Sequence, residues 1–92
     1  MAITVRVPTA LRRLTNNLEV VTATGGTVRE VLAYLKENNA ALAEQLVDAN
    51  GKVRVFVNLY VNDEDIRFLD GLETTLADRD EVSIVPAIAG GL

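Results

Sequence analysis

The sequence closes on Val-Pro-Ala-Ile-Ala-Gly-Gly-Leu, residues 85–92. Ala87, Ala89, Gly90 and Gly91 have almost no side chain to pack, and two adjacent glycines leave a strip of bare backbone. Any chemistry open to such a strip is that of its backbone, and one leucine, Leu92, follows it.

Little else in the chain is built for reaction. There is no cysteine, hence no thiolate nucleophile, disulfide or thiolate metal site, and no histidine, the commonest general base and metal ligand. The only serine, Ser83, lies inside an apparent strand. The run Asn62-Asp63-Glu64-Asp65-Ile66-Arg67 places three carboxylates in four positions. It lacks the twelve-residue spacing and final glutamate of a calcium loop, so it reads as a solvated turn. The formal net charge is −4 with no cluster of lysine or arginine, which argues against nucleic acid. No apolar run approaches the ~20 residues of a membrane span. "MAITVRVP" lacks the pattern of a secretory signal, so the expected location is cytoplasmic. This inventory is that of a protein acted upon rather than an enzyme.

The elements that must position the tail follow from hydrophobic periodicity. Ile3, Val5 and Val7 alternate with Thr4 and Arg6, a half-buried strand that Pro8 ends. Leu18–Thr24 reads as a second strand, broken at Gly25-Gly26. Thr27 and Glu30 form a capping box, and Val28, Val31, Leu32 and Leu35 fall on one helical face. Residues 40–51 extend that helix or make a second short one, with Leu42 and Leu46 apolar and Asn50-Gly51 as a turn. In "KVRVFVN" the alternation predicts Val53, Val55 and Val57 inward, with Arg54 and Phe56 outward. Short strands are expected at Tyr60–Val61 and Ile66–Phe68, and a final strand over Glu81–Pro86 with Val82 and Ile84 inward. Tyr34 and Tyr60 read as packing residues.

The resulting order, β-β-α-β-β-β, predicts an α+β domain: a mixed sheet of four to five strands packed on one main helix. The first two strands form a hairpin and the last lies parallel to the first, which is the β-grasp, or ubiquitin-like, fold. Residues 1–86 make this domain and residues 87–92 a flexible C-terminal tail. Pro86 to Gly91 can reach about 20 Å from it.

The stretch "NDEDIRFLDGLETTLADRDEVSIVPAIAGG" resembles the C-terminal third of the ubiquitin-like sulfur carrier proteins, the group that includes MoaD and ThiS. The acidic turn, apolar strand, proline, small residues and Gly-Gly over Asp78–Gly91 carry the likeness. "VNDEDIRFL" together with "VPAIAGG" is most similar to the CysO branch. The resemblance implies that an E1-like adenylyltransferase of the ThiF/MoeB type activates the Gly91 carboxylate with ATP. A sulfur donor then displaces AMP and leaves a thiocarboxylate. In the CysO branch the sulfur goes to a PLP-dependent cysteine synthase, and a JAMM-type zinc peptidase frees the product. The carrier itself binds no cofactor, ATP being used by its activating enzyme. Pro86, Ala87, Ile88, Ala89 and Gly90 would then occupy the partner's channel, with Ile88 as an anchor. MoaD-type synthase subunits, other ThiS-type carriers and protein modifiers joined to lysine share this scaffold. A non-covalent interaction module with an inert tail is the reading from a different class.

With Leu92 in place the Gly91 carbonyl belongs to a peptide bond and cannot be adenylated, and three accounts of Leu92 stay open: a peptidase removes it first, it is a remnant of recombinant expression, or the chain is not a carrier at all. Phe56, Val85, Arg54 and Arg6 are expected on the outer sheet face, as a docking patch for the activating enzyme.

Overall fold

The computed structural model describes residues 2–86. Five strands form one sheet in the order β2-β1-β5-β3-β4. They are β1 (Ala2–Arg6), β2 (Val20–Thr24), β3 (Val57–Val61), β4 (Glu64–Asp65) and β5 (Glu81–Pro86). Helices α1 (Val28–Asn38) and α2 (Ala40–Leu46) connect β2 to β3. β1 and β2 are antiparallel, β1 and β5 parallel, and β3 is antiparallel to both β5 and β4. This is the α+β, β-grasp-like order that the alternation predicts.

The inward residues of the strands, among them Ile3, Val5, Ala23, Leu59, Val82 and Ile84, meet Val28, Val31, Leu32 and Leu35 of α1. One face of the sheet is thereby buried and the other left open, as an amphipathic helix on a mixed sheet requires. Leu42, Ala43 and Leu46 of α2 complete the core. α2 is a separate helix, because the intervening Asn39 takes φ −144°, outside the helical range, while its N–H still bonds to Leu35 O at 2.6 Å. At the start of α1, Thr27 Oγ1 accepts from the Glu30 N–H at 3.2 Å. The Glu30 carboxylate accepts from Gly26 N–H at 2.6 Å, so the cap is reciprocal with the residue before the N-cap.

Three expectations need correction: the start of β2, the single strand over "KVRVFVN" and the strand at Ile66–Phe68. The loop between β1 and β2 holds a 3-10 segment, Thr9–Thr15, closed by Asn16 and Asn17 at positive φ. Its Thr15 hydroxyl is buried and lies 3.0 Å from Leu18 O and 3.2 Å from Arg12 O. β2 begins at Val20, leaving Leu18 exposed. "KVRVFVN" is not one strand: Val53 bridges to Val47, Val55 is 92% exposed, and the strand starts only at Val57. Alternation marks residues able to join a sheet, but a strand also needs a partner, and β5 supplies one from Val57 onward. Ile66–Phe68 is a 3-10 turn, and the short strand is Glu64–Asp65 just before it.

Two acidic residues hold the connections around β5. Asp80 accepts from Ala77 N–H at 2.8 Å and from Asn62 Nδ2 at 3.0 Å, while Asn62 Oδ1 accepts from Glu81 N–H at 3.0 Å. The backbone donor at Ala77, then Asn62, holds the Asp80 carboxyl below its ordinary value of 3.8. Asp65 is buried and doubly bonded by the Arg67 guanidinium, which lowers its pKa as well, the Arg67 N–H adding to the effect. Both folded-state pKa values are depressed. Their stabilisation is therefore complete above the unfolded carboxylate pKa and is lost as pH falls through the folded value.

Urea titrations should accordingly give a stability that is level from pH 7 to about pH 5 and drops below about pH 4. Asp80→Asn should be less stable than the unsubstituted chain at pH 7 and lose less on acidification. Gly25 tests the packing of α1. A Cβ there would lie 2.9 Å from both Glu30 Cβ and the Val31 backbone nitrogen. Gly25→Ala should cost about 1–3 kcal/mol by the same titration.

Candidate functional site

β5 is an inner strand, flanked by β1 and β3, and its last residue, Pro86, lies opposite Val57. The chain is thus delivered to residue 87 at one end of the sheet, beside the start of β3 and the end of β1. Ala87, Ile88, Ala89, Gly90, Gly91 and Leu92 lie outside the described residues. Of the expected tail and channel residues, only Pro86 has a described position, where it is half-buried.

The expected docking patch is placed in two parts. Arg6 on β1 and Val85 on β5 are both exposed, on the face of the sheet away from the helices. Arg6 lies opposite Ser83, and Val85 opposite Asn58. Arg6 Nε reaches Glu81 Oε2 at 2.6 Å along this face. Phe56, 53% exposed, immediately precedes β3. Arg54 turns to the helical side, where its Nε bonds to Glu44 O at 2.8 Å and its N–H to Leu46 O at 2.9 Å. The expectation that Arg54 shares the outer face rests on a strand that does not form. Val20, paired with Arg6 across β1–β2 and 38% exposed, joins the open face instead. The doublet Val20-Val21 is the signal for it, since one of two consecutive strand residues must face outward.

A groove of about 480 Å³ runs along Val53, Val57, Leu59, Ile66 and Leu72. Another of about 590 Å³ lies over Leu32, Ala43 and Val47 between the helices and the loop that follows them. Neither is lined by a serine, threonine, tyrosine, histidine or cysteine, and their ionisable lining is lysine, arginine and carboxylate. Among the described residues, no three acidic side chains converge as a metal site. In the acidic turn, Asp65 is taken up by Arg67. Asp48 is likewise taken up locally. It accepts from the N–H groups of Asn50 and Lys52 at 2.8 and 3.1 Å, and the Lys52 bond is the main cause of its lowered pKa.

What the geometry offers is a central strand, β5, whose last described residue, Pro86, lies at one end of the sheet beside an open sheet face. No helix among the described residues is long and apolar enough to cross a membrane. The family model described as ThiS family matches residues 5–91 and so ends on the second glycine of the tail. The chain is 47% identical to the sulfur carrier protein CysO of Mycobacterium tuberculosis, over 99% of this chain and all of that one. It superposes on a chain of the crystal structure of the Amycolatopsis orientalis BexX/CysO complex with a TM-score of 0.87 and 43% identity, covering 97% of this chain and 99% of that one. The solution structure of the small archaeal modifier protein 1 from Methanosarcina acetivorans gives a TM-score of 0.87 at 28% identity, over 98% and 96% of the two chains. A strand order closed by a parallel β1–β5 pair, a family match that stops at Gly91 and a near-half-identical relative of full length agree: the chain belongs to the ThiS family of ubiquitin-like proteins.

Proposed function

We propose that this protein is a sulfur carrier that works through the carboxyl group of Gly91. The carrying observation is the full-length likeness to CysO, a sulfur carrier by name, combined with a family match that ends at Gly91. The absence of cysteine and histidine fits a protein that is the substrate of other enzymes, with sulfur riding on carbon and not on a thiol.

The proposed sequence begins with hydrolysis of the Gly91–Leu92 bond, which frees the carboxylate. An E1-like adenylyltransferase joins that carboxylate to the α-phosphate of ATP and releases pyrophosphate. A sulfur donor attacks the acyl carbon, AMP leaves, and Gly91 ends as a thiocarboxylate. Gly90 and Gly91 suit a channel that admits backbone alone. Likeness to CysO favours cysteine biosynthesis as the destination, with a PLP-dependent synthase as acceptor and a JAMM-type peptidase for release. That a structural neighbour of this chain was solved as a BexX/CysO complex supports activity through a partner protein. Attachment of Gly91 to lysines is the second reading, favoured by 40% identity to the small archaeal modifier protein 3 of Haloferax volcanii over 65 residues.

Intact-mass measurement of the protein ending at Gly91, after incubation with its E1-like enzyme, ATP and sulfide, tests this. The expected result is a gain equal to replacing one oxygen by sulfur, with no gain for the chain that retains Leu92. Ladders of conjugates would favour the modifier reading, and an unchanged mass for the trimmed chain would sink the carrier. Phe56→Asp should lower activation about tenfold, a typical loss for an interface anchor, with unchanged thermal unfolding.

A further inference from the structure

The two edges of the sheet differ. At one stands β4, two residues long and acidic in both, Glu64 and Asp65, with the chain turning at once into Ile66–Phe68. Shortness and charge are devices that keep an edge from pairing with another chain. At the other edge stands β2, Val20–Thr24, with no charge, no proline and an unbroken register with β1. Its valines and threonines favour extended chain.

The main-chain groups along β2 follow from the ladder. Val7 N–H donates to Glu19 O at 2.8 Å, so Val7 and Glu19 are a bonded pair. Bonded pairs recur at every second position of an antiparallel ladder, which makes Val5–Val21 and Ile3–Ala23 the next ones. The N–H and C=O groups of Val20, Thr22 and Thr24 therefore point away from β1, along the open edge. Thr4 agrees with this phase, since its own N–H is turned away from β2, to Asp80 O at 3.0 Å. Among the described residues, none of these edge groups meets a backbone partner, and the side chains of Val20, Thr22 and Thr24 are exposed.

The edge is symmetric about Thr22. A two-fold axis there sets Thr22 opposite Thr22 of a second copy and Val20 opposite its Thr24, so every edge-facing residue meets another. The side-chain rows on the open sheet face match as well. Thr4 pairs with Thr22 within the chain, so the row through the axis is threonine throughout. The flanking rows run Arg6, Val20, then Thr24 and Ala2 of the second copy. Threonine neighbours and β-branched pairs stabilise adjacent strands, whereas like charges directly opposite destabilise them. No like charges are opposed here: one position beyond the strand, Glu19 faces Gly25 of the second copy.

We infer that two copies of this chain pair β2 with β2, antiparallel about Thr22, into one continuous sheet. The contact is a single five-residue strand and the side chains beside it, smaller than a permanent dimer buries, so the pairing is concentration-dependent. β1 lies between β2 and β5, which leaves Pro86 and the start of β3 uncovered. The inference does not depend on the sulfur-carrier reading.

Sedimentation equilibrium of the full chain from about 10 µM to about 1 mM tests it, with an expected dissociation constant on the order of 0.1 mM. Thr22→Lys sets two ammonium groups against each other across the axis. It should weaken association at least about tenfold and leave thermal unfolding of the dilute chain nearly unchanged. Because the chain has no cysteine, cross-linking reads the register without background, and does so even if Thr22→Lys fails to fold. Under oxidised glutathione, two Thr22→Cys thiols should become one disulfide as one oxidised glutathione is reduced to two thiols, since opposed residues of a bonded pair stand about 5.5 Å apart at Cα. Two Thr24→Cys chains should not join, their positions being about 14 Å apart along the strands, but a mixture of Val20→Cys and Thr24→Cys chains should. A chain that stays monomeric at about 1 mM would overturn the pairing, and this is also the result if the edge serves a strand of another protein. Dimers undiminished in a folded Thr22→Lys chain, or equal cross-linking of the Thr22→Cys and Thr24→Cys chains, would overturn it too.

Discussion

The parallel pairing of β1 with β5 is the constraint on which the rest of the domain depends. It joins the first strand to the last, through Thr4 opposite Glu81 and Arg6 opposite Ser83, and bonds from Thr4 N–H to Asp80 O and Arg79 N–H to Ala2 O extend it. Parallel neighbours need a long crossover, and here nearly the whole chain serves as one. Everything between must fold back on one face: α1 and α2 cover the inward valines, isoleucines and leucines, and β3 closes on the far side of β5. Because β5 lies in the interior of the sheet, its direction is held from both sides. The position of Pro86, the last described residue, is thereby fixed by pairing on both sides of β5.

That arrangement separates stability from chemistry. The core contains aliphatic side chains alone, and the three buried polar residues, Thr15, Asp65 and Thr74, are all bonded internally. No buried side-chain nitrogen or oxygen among the described residues lacks a partner. A domain with no unsatisfied interior group and no convergent side-chain pair has its polar groups committed to structure. Its open sheet face carries Arg6, Val20 and Val85, and the end of the sheet where β1 and β5 begin is held together by Asp78 and Asp80.

The sequence by itself determined the α1 face and the inward sets of β1 and β5, because each is written as a period of two or of about 3.6 residues, while the hairpin and the parallel closure followed from the order of the elements. It also holds the Gly-Gly pair after a strand and a proline, a local feature that the family match over residues 5–91 includes. Tertiary structure decided what depends on partners. Val55 alternates as a strand residue should, yet stands exposed, because Val53 pairs with Val47 and the sheet takes up the chain only at Val57. The 3-10 segment after Pro8 has too few residues for a period to show, and it exists because Leu11 and Thr15 find burial against the core. Arg54 looks outward in the sequence and turns to Glu44 in the fold, for a side chain's direction follows from the backbone that carries it and that backbone is a loop.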